Sequence, residues 1–217
     1  MTLTREQARA FYDRFGARQD GQHFYEDPAT DELIAHARFP EAQSVVEFGC
    51  GTGRFAQTLL AHHLPECATY LGVDQSATMV ALSKSRLEPF GDRAKVLQTD
   101  GEPHIPIPSE SCHRFVSNYV LDLLSEADIQ ALLKEAHRSL QPGGLLCLVG
   151  LTNGFSPGSK IVSRVWKIVH TCFPKRVGGC RPLELHTYLF KPQWRIEYAC
   201  KIAPFGIPSE VVIALKQ

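Results

Sequence analysis

The chain predicts an open, doubly wound α/β sheet of seven mostly parallel strands, with an antiparallel edge strand and N-terminal helices capping one end. Three observations carry this. Short, continuous apolar runs alternate with amphipathic segments of helical length from residue 44 to residue 152, the pattern of parallel strands covered on both faces. A glycine cluster, GCGTG at 49–53, directly follows the first run, and open α/β sheets bind their ligands at such strand ends. The last two apolar runs are joined by Pro204, Gly206 and Pro208, which reads as a turn between antiparallel neighbours at the sheet edge.

Thr4 followed by Gln7 is a capping-box pattern, and Ala8, Phe11, Tyr12 and Phe15 then share one helical face up to Gly16, so a first helix is expected over Arg5 to Phe15. Asp27 or Thr30 is suited to cap a second helix, with Pro28 in its first turn. The alternation then runs SVVEFGC as strand, RFAQTLLAHH as helix, TYLGVD as strand and SATMVALSKSRLEPF as helix. AKVLQTD and CHRFVSNYV follow as strands, EADIQALLKEAHRSL as a helix ending at QPGG, and GLLCLVGLT as a fifth strand. A helix at about Lys160 to Phe173 precedes the final strands, WRIEYACKIA and PSEVVIALK. Nothing in the 217 residues reads as a linker or repeat, so one domain is expected over 1–217: cap helices to residue 40, a ligand-binding core over 41–152, and a lid helix with edge strands over 153–217.

Lys plus Arg and Asp plus Glu number 23 each, which removes any net field drawing the chain to nucleic acid or anionic lipid. A small molecule is the expected partner. The N-terminus lacks the apolar block of a signal peptide, so a cytoplasmic location is expected. The seven cysteines show no CxxC pair and no Cys/His cluster at zinc spacing, and no metal site is expected.

In VVEFGCGTGRF the glycines Gly49, Gly51 and Gly53 are followed by Arg54 where a dinucleotide fingerprint places its last glycine, which argues against a hydride-transfer enzyme. Glu47 stands two residues before the first glycine. A carboxylate there repels a pyrophosphate but suits a nucleoside bearing an ammonium or sulfonium. Asp74 closes the second strand, where it can accept hydrogen bonds from ribose hydroxyls; capping the next helix would serve it equally well. Asp100 closes the third strand, within reach of an exocyclic amine.

VVEFGCGTGRFA, LGVDQS, LQTD, VSNYVLDLL and LQPGGLLCLVG, in this order, resemble the successive motifs of class I S-adenosylmethionine-dependent methyltransferases, most closely the small-molecule branch. The resemblance covers residues 44–151 and implies a Rossmann-like fold and S-adenosyl-L-methionine as cofactor, with S-adenosyl-L-homocysteine as product. It implies that the three glycines let the methionine part lie against the backbone and that Glu47 orients it. It further implies Asp74 for the ribose, Gln75 and Met79 for the adenine side, Asp100 with Gly101 for the adenine edge, and Asn118 for the cofactor's amino-acid end. His113 departs from the family, which often has an aspartate there.

Tyr119 and Asp122, just past the fourth strand, are candidates to face the transferred methyl; packing and capping are the other reading. His186 is a candidate base if the acceptor must lose a proton, against the reading of a satisfied histidine. Tyr12 and Tyr25 are candidates to cover the cofactor, against plain core packing. The expected activity is in-line methyl transfer to a hydrophobic or amphiphilic acceptor such as a thiol, a phenol or quinol, or a lipid amine. The alternative is a cofactor-binding scaffold without transfer. Residues 160–173 gather Ile161, Val162, Val165, Trp166, Ile168, Val169, Cys172 and Phe173 opposite Lys160, Ser163, Arg164, Lys167, His170 and Thr171. This predicts a lid over the acceptor pocket that touches a membrane surface peripherally; an ordinary sheet-covering helix shows the same pattern.

Overall fold

In the computed structural model, which describes residues 3–172 and 179–217, helix α1 spans Arg5–Phe15 and opens on the expected capping box. Gln7 N donates to Thr4 Oγ1 and Thr4 N to Gln7 Oε1. A 3₁₀ turn over Gly16–Gln22 runs straight into α2, His23–His36. This corrects the expected start at Asp27 or Thr30. The preceding turn already supplies helical backbone, so no capping side chain is needed, and Pro28 sits inside the helix. Thr30 Oγ1 bonds back to the carbonyls of Glu26 and Asp27, as a mid-helix threonine does.

The alternation then follows as β1 Ser44–Phe48, α3 Arg54–His62, β2 Thr69–Asp74, α4 Ala77–Leu87, β3 Ala94–Gln98, β4 Cys112–Asn118, α5 Glu126–Ser139, β5 Leu140–Leu151, α6 Pro157–Cys172, β6 Trp194–Ile202 and β7 Ser209–Lys216. The sheet order is β3-β2-β1-β4-β5-β7-β6. The first five strands are parallel, while β7 runs antiparallel to both β5 and β6. The expected edge pair is present, with β7 inserted between β5 and the true edge, β6. β5 begins at Leu140 rather than Gly144, because Cys112 pairs with Leu140 before the ladder shifts register.

Successive strand residues enter two cores. Val45, Val116, Cys147 and Val211 face α2, α3 and α4, while Val46, Phe115, Leu146 and Val212 face α5. This period of two explains why the strands read as unbroken apolar runs. Buried Arg114 holds α2 to the sheet by donating to the carbonyls of Ala37, Arg38 and His113. Beside it, His113 Nδ1 meets Ser44 Oγ at 2.9 Å.

α6 is neither a lid over the cavities nor a helix with its whole apolar face turned inward. Ser159 and Ser163 are buried, Val162 and Trp166 half-buried, and Ile161, Val165 and Ile168 exposed. Among the described residues the helix lines neither of the two principal cavities. Phe173 lies outside the described residues.

Candidate active site

β1 ends on an acid and a glycine loop because the chain must turn sharply from the sheet into α3. Gly49 and Gly53 have φ of 79° and 77°, a region open to glycine at little cost. A Cβ on Gly49 would stand 2.3 Å from Val120, and one on Gly53 would stand 2.5 Å from Ser83. Part of the close approach that the cluster implies is therefore made by the protein itself. Asp74 staples this loop: Oδ2 accepts from Gly51 N at 3.0 Å and Oδ1 from Ser76 N at 2.8 Å. Capping of α4 falls to Ser76, whose hydroxyl accepts from Met79 N. Burial pushes the Asp74 carboxyl up, against the pull of those backbone donors.

Two cavities meet at this loop. One, about 320 Å³, is walled by Asp74, Gln75, Met79, Thr99 and Gly101 on the side of β2 and β3, and by Tyr12 with other α1 residues opposite. The second, about 150 Å³, holds Glu47 and Arg54 with Asp20, Glu26, Asp27 and Asp31. Gln19, Gly49, Gly51, Asn118 and Tyr119 line both.

Glu47 is 2 % exposed. Its Oε2 accepts from Tyr70 Oη at 2.6 Å and its Oε1 from Asn118 Nδ2 at 3.4 Å. Burial pushes its carboxyl up to about 7, with Asp74 adding to the effect against the two donors. Glu26 is likewise raised to about 7 by burial, against Arg54.

Gln19, which the sequence did not single out, sits 3.1 Å from the Cβ position of Gly51. Its Oε1 and Asn118 Oδ1 are buried with no hydrogen-bond partner among the described residues. Buried acceptors are rarely left so. The loop bearing Gln19 is fixed by its neighbour Asp20, which accepts from Thr52 Oγ1 and Arg86 Nη2, each at 2.6 Å. Earlier in the cap, Asp13 accepts from Ser76 Oγ at 2.6 Å.

Other candidates stand elsewhere. Asp100 is exposed, with Oδ1 accepting from Glu102 N, and Thr99 takes its place in the wall. Tyr119 borders both cavities with φ 55°, a conformation that non-glycine residues hold only under constraint. Its hydroxyl meets Ser209 Oγ at 2.9 Å. Tyr25 is buried edge-on against Tyr119 at 5.8 Å and lines neither cavity. Asp122 is fully buried with both carboxylate oxygens unpaired; burial raises it to about 7, against Arg181. It too stands outside both cavity walls.

His186 stands apart from this constellation. It lines neither cavity, and its Nδ1 is held at 2.5 Å by buried Glu210. Glu184, His186 and Glu210 converge like a metal donor set. Their oxygens are already taken by Lys201, Asn153 and the Leu185 amide, so the group clasps β6 and β7 to the preceding segment.

The first glycine loop of an open α/β sheet thus joins the larger cavity to a smaller, acidic one. Residues 45–144 match the family described as methyltransferase domain. The chain is 27 % identical to carboxy-S-adenosyl-L-methionine synthase of Pectobacterium atrosepticum over 150 residues, 68 % of this chain and 58 % of that one. It is 32 % identical to trans-aconitate 2-methyltransferase of Methylobacterium nodulans over 139 residues, 64 % and 49 % of the two chains. It spans about half the length of the curated relatives it matches. Among solved structures, a chain of the Haloferax volcanii complex of the Trm112 methyltransferase activator with a methyltransferase superposes with TM-score 0.72 at 16 % identity, covering 96 % and 97 %. The [4+2]-cyclase SpnF superposes at 0.67 and 15 % identity, covering 88 % and 80 %, so this fold alone does not specify methyl transfer. The methyltransferase-domain match and these likenesses support a class I S-adenosylmethionine-dependent methyltransferase. S-adenosyl-L-methionine is the cofactor of that family.

Proposed function

We propose that the protein transfers a methyl group from S-adenosylmethionine to a small hydrophobic or amphiphilic acceptor. The observation that carries this is the pair of orphaned amide oxygens, Gln19 Oε1 and Asn118 Oδ1, between a nucleoside-sized cavity and the buried carboxylate of Glu47. A surplus of buried acceptors fits a ligand that only donates, and an ammonium carries three donors and no acceptor. Asp74 offers its remaining lone pairs to the ribose, Gln75 and Met79 flank the base with Gly101, and Asn118 meets the amino-acid end.

Bound there, the cofactor supplies a sulfonium methyl for in-line displacement. No new charge arises on the sulfur side, so the chain's task is to position the acceptor and keep water out. Tyr119 and Tyr12 line the first cavity, and aromatic side chains favour a cation without hydrating it. A thiol, a phenol or quinol, or a lipid amine suits this apolar lining. The scaffold alternative predicts cofactor binding without turnover on any of these.

Replacing Asp74 with Ala removes an ionised acceptor for hydroxyls, each such bond being worth about 1.5–3 kcal/mol. Titration calorimetry should show cofactor affinity reduced roughly ten- to hundredfold. Wild-type affinity in that variant would remove the ribose assignment.

A further inference from the structure

The outward face of α6 and the turn between β6 and β7 form a surface that the two cavities do not use. Ser159, Ser163 and Trp166 point inward, the indole donating to the Cys180 carbonyl at 3.0 Å. Ile161, Val165 and Ile168 point outward at 64, 55 and 64 % exposure. Spaced four and three apart, they make one stripe along the helix. The stripe adjoins the turn, because Val162 lies 3.2 Å from the Cβ position of Gly206. At the tip of that turn Phe205 is 79 % exposed with φ 52°, so a bulky side chain is held outward by backbone that disfavours it. Phe24 of α2 completes the patch edge-on against Phe205, centroids 5.5 Å apart.

The charge around this patch has one sign on the helix. Lys160 and Arg164 are exposed beside the stripe, residues 157–172 contain no acid, and the turn at 203–208 is uncharged.

We propose that this surface docks on an anionic lipid bilayer, with Phe205 and the stripe at the acyl boundary and Lys160 and Arg164 at the phosphates. A helix with an apolar face and basic flank lies in the headgroup plane for this reason. A second copy fits less well, because an isologous pairing sets Lys160 and Arg164 against a like-charged helix with no acid to receive them. The proposal deepens the reading of an amphiphilic acceptor and rests on it only for what the docked protein would methylate.

The test is co-sedimentation of the full chain with vesicles of phosphatidylcholine alone or mixed with phosphatidylglycerol. Binding is expected only to the mixed vesicles. Lys160→Gln with Arg164→Gln should weaken it roughly thirtyfold, about fivefold for each cation lost. Phe205→Ser, a change at an exposed tip whose ring meets only Phe24 among the described aromatic pairs, should abolish it. A wild-type chain that never sediments, or a Phe205→Ser chain that sediments fully, overturns the proposal. So does a dimer on gel filtration that Phe205→Ser converts to monomer, since that assigns the patch to a second copy. Cofactor affinity measured on the same samples is expected to be unchanged by these substitutions. Its absence in the wild type would count against the methyltransferase reading and not against docking.

Discussion

Gln19 shows how a residue of no distinctive type becomes informative through what it lacks. Nothing in GARQDGQ marks it, since a polar loop contains such residues by default. Its weight comes from an amide placed over Gly51 with a buried, unpartnered oxygen. If that oxygen serves the ammonium of the cofactor, Gln19→Ala should reduce affinity for S-adenosylmethionine roughly tenfold or more. Affinity for 5′-methylthioadenosine, which has no amino-acid tail, should be unchanged. Calorimetry with the two ligands decides the matter, and an equal loss for both would move Gln19 to the nucleoside side. Glu47 and Asp74 were legible in sequence because an acid closing an apolar run next to a glycine turn is unusual. His186 was not, because its partner Glu210 is 24 positions away on another element and no local signal reports that pairing.

At the scale of elements, legibility follows the range of the interactions involved. α1 was readable to the residue, since its capping box closes over four consecutive positions. The start of α2 was not, because it inherits helical backbone from a 3₁₀ turn rather than from a cap of its own. α6 showed a segregated pattern, yet Ser159 and Ser163 are buried while Ile161, Val165 and Ile168 are exposed, which the segregation alone does not report. Besides the pairing of Arg5 with Asp128 and Glu102, the cap formed by α1 and the following turn is fastened by two of its own aspartates, Asp13 to Ser76 and Asp20 to Thr52 and Arg86. Replacing both aspartates with Ala should leave the sheet folded by circular dichroism. It should speed release of S-adenosylhomocysteine roughly tenfold. Stopped-flow dissociation reads this directly, and an unchanged rate would mean that the cap does not govern exchange.

For the whole molecule, the buried acids set a dependence on pH. Glu26, Glu47 and Asp122 are each raised to about 7, burial being the largest cause in each case. A raised carboxyl binds its proton more tightly folded than unfolded. Its contribution is therefore whole below the ordinary carboxylate range and is lost as pH rises through about 7. Asp20 and Glu135 act in the opposite sense. Despite the cost of burial, Arg86 and Arg138 hold them below their ordinary values, so their contribution is lost in acid. The ligand-free protein should be most stable in mildly acidic buffer, with a melting temperature that declines from about pH 5 to pH 8. Glu47→Gln should flatten that decline, and a melting temperature that rises over the same interval would contradict the assignment.

The place of β7 has a consequence for the timing of synthesis. Residues 209–216 leave the ribosome after β6, yet they lie between β5 and β6, pairing with both. Until they emerge, β5 presents Leu146, Leu148 and their neighbours along an open edge, and β6 has no partner in the sheet. Nascent chains are therefore exposed to edge-to-edge association until β7 is made, and the sheet becomes continuous only when that strand joins its two partners.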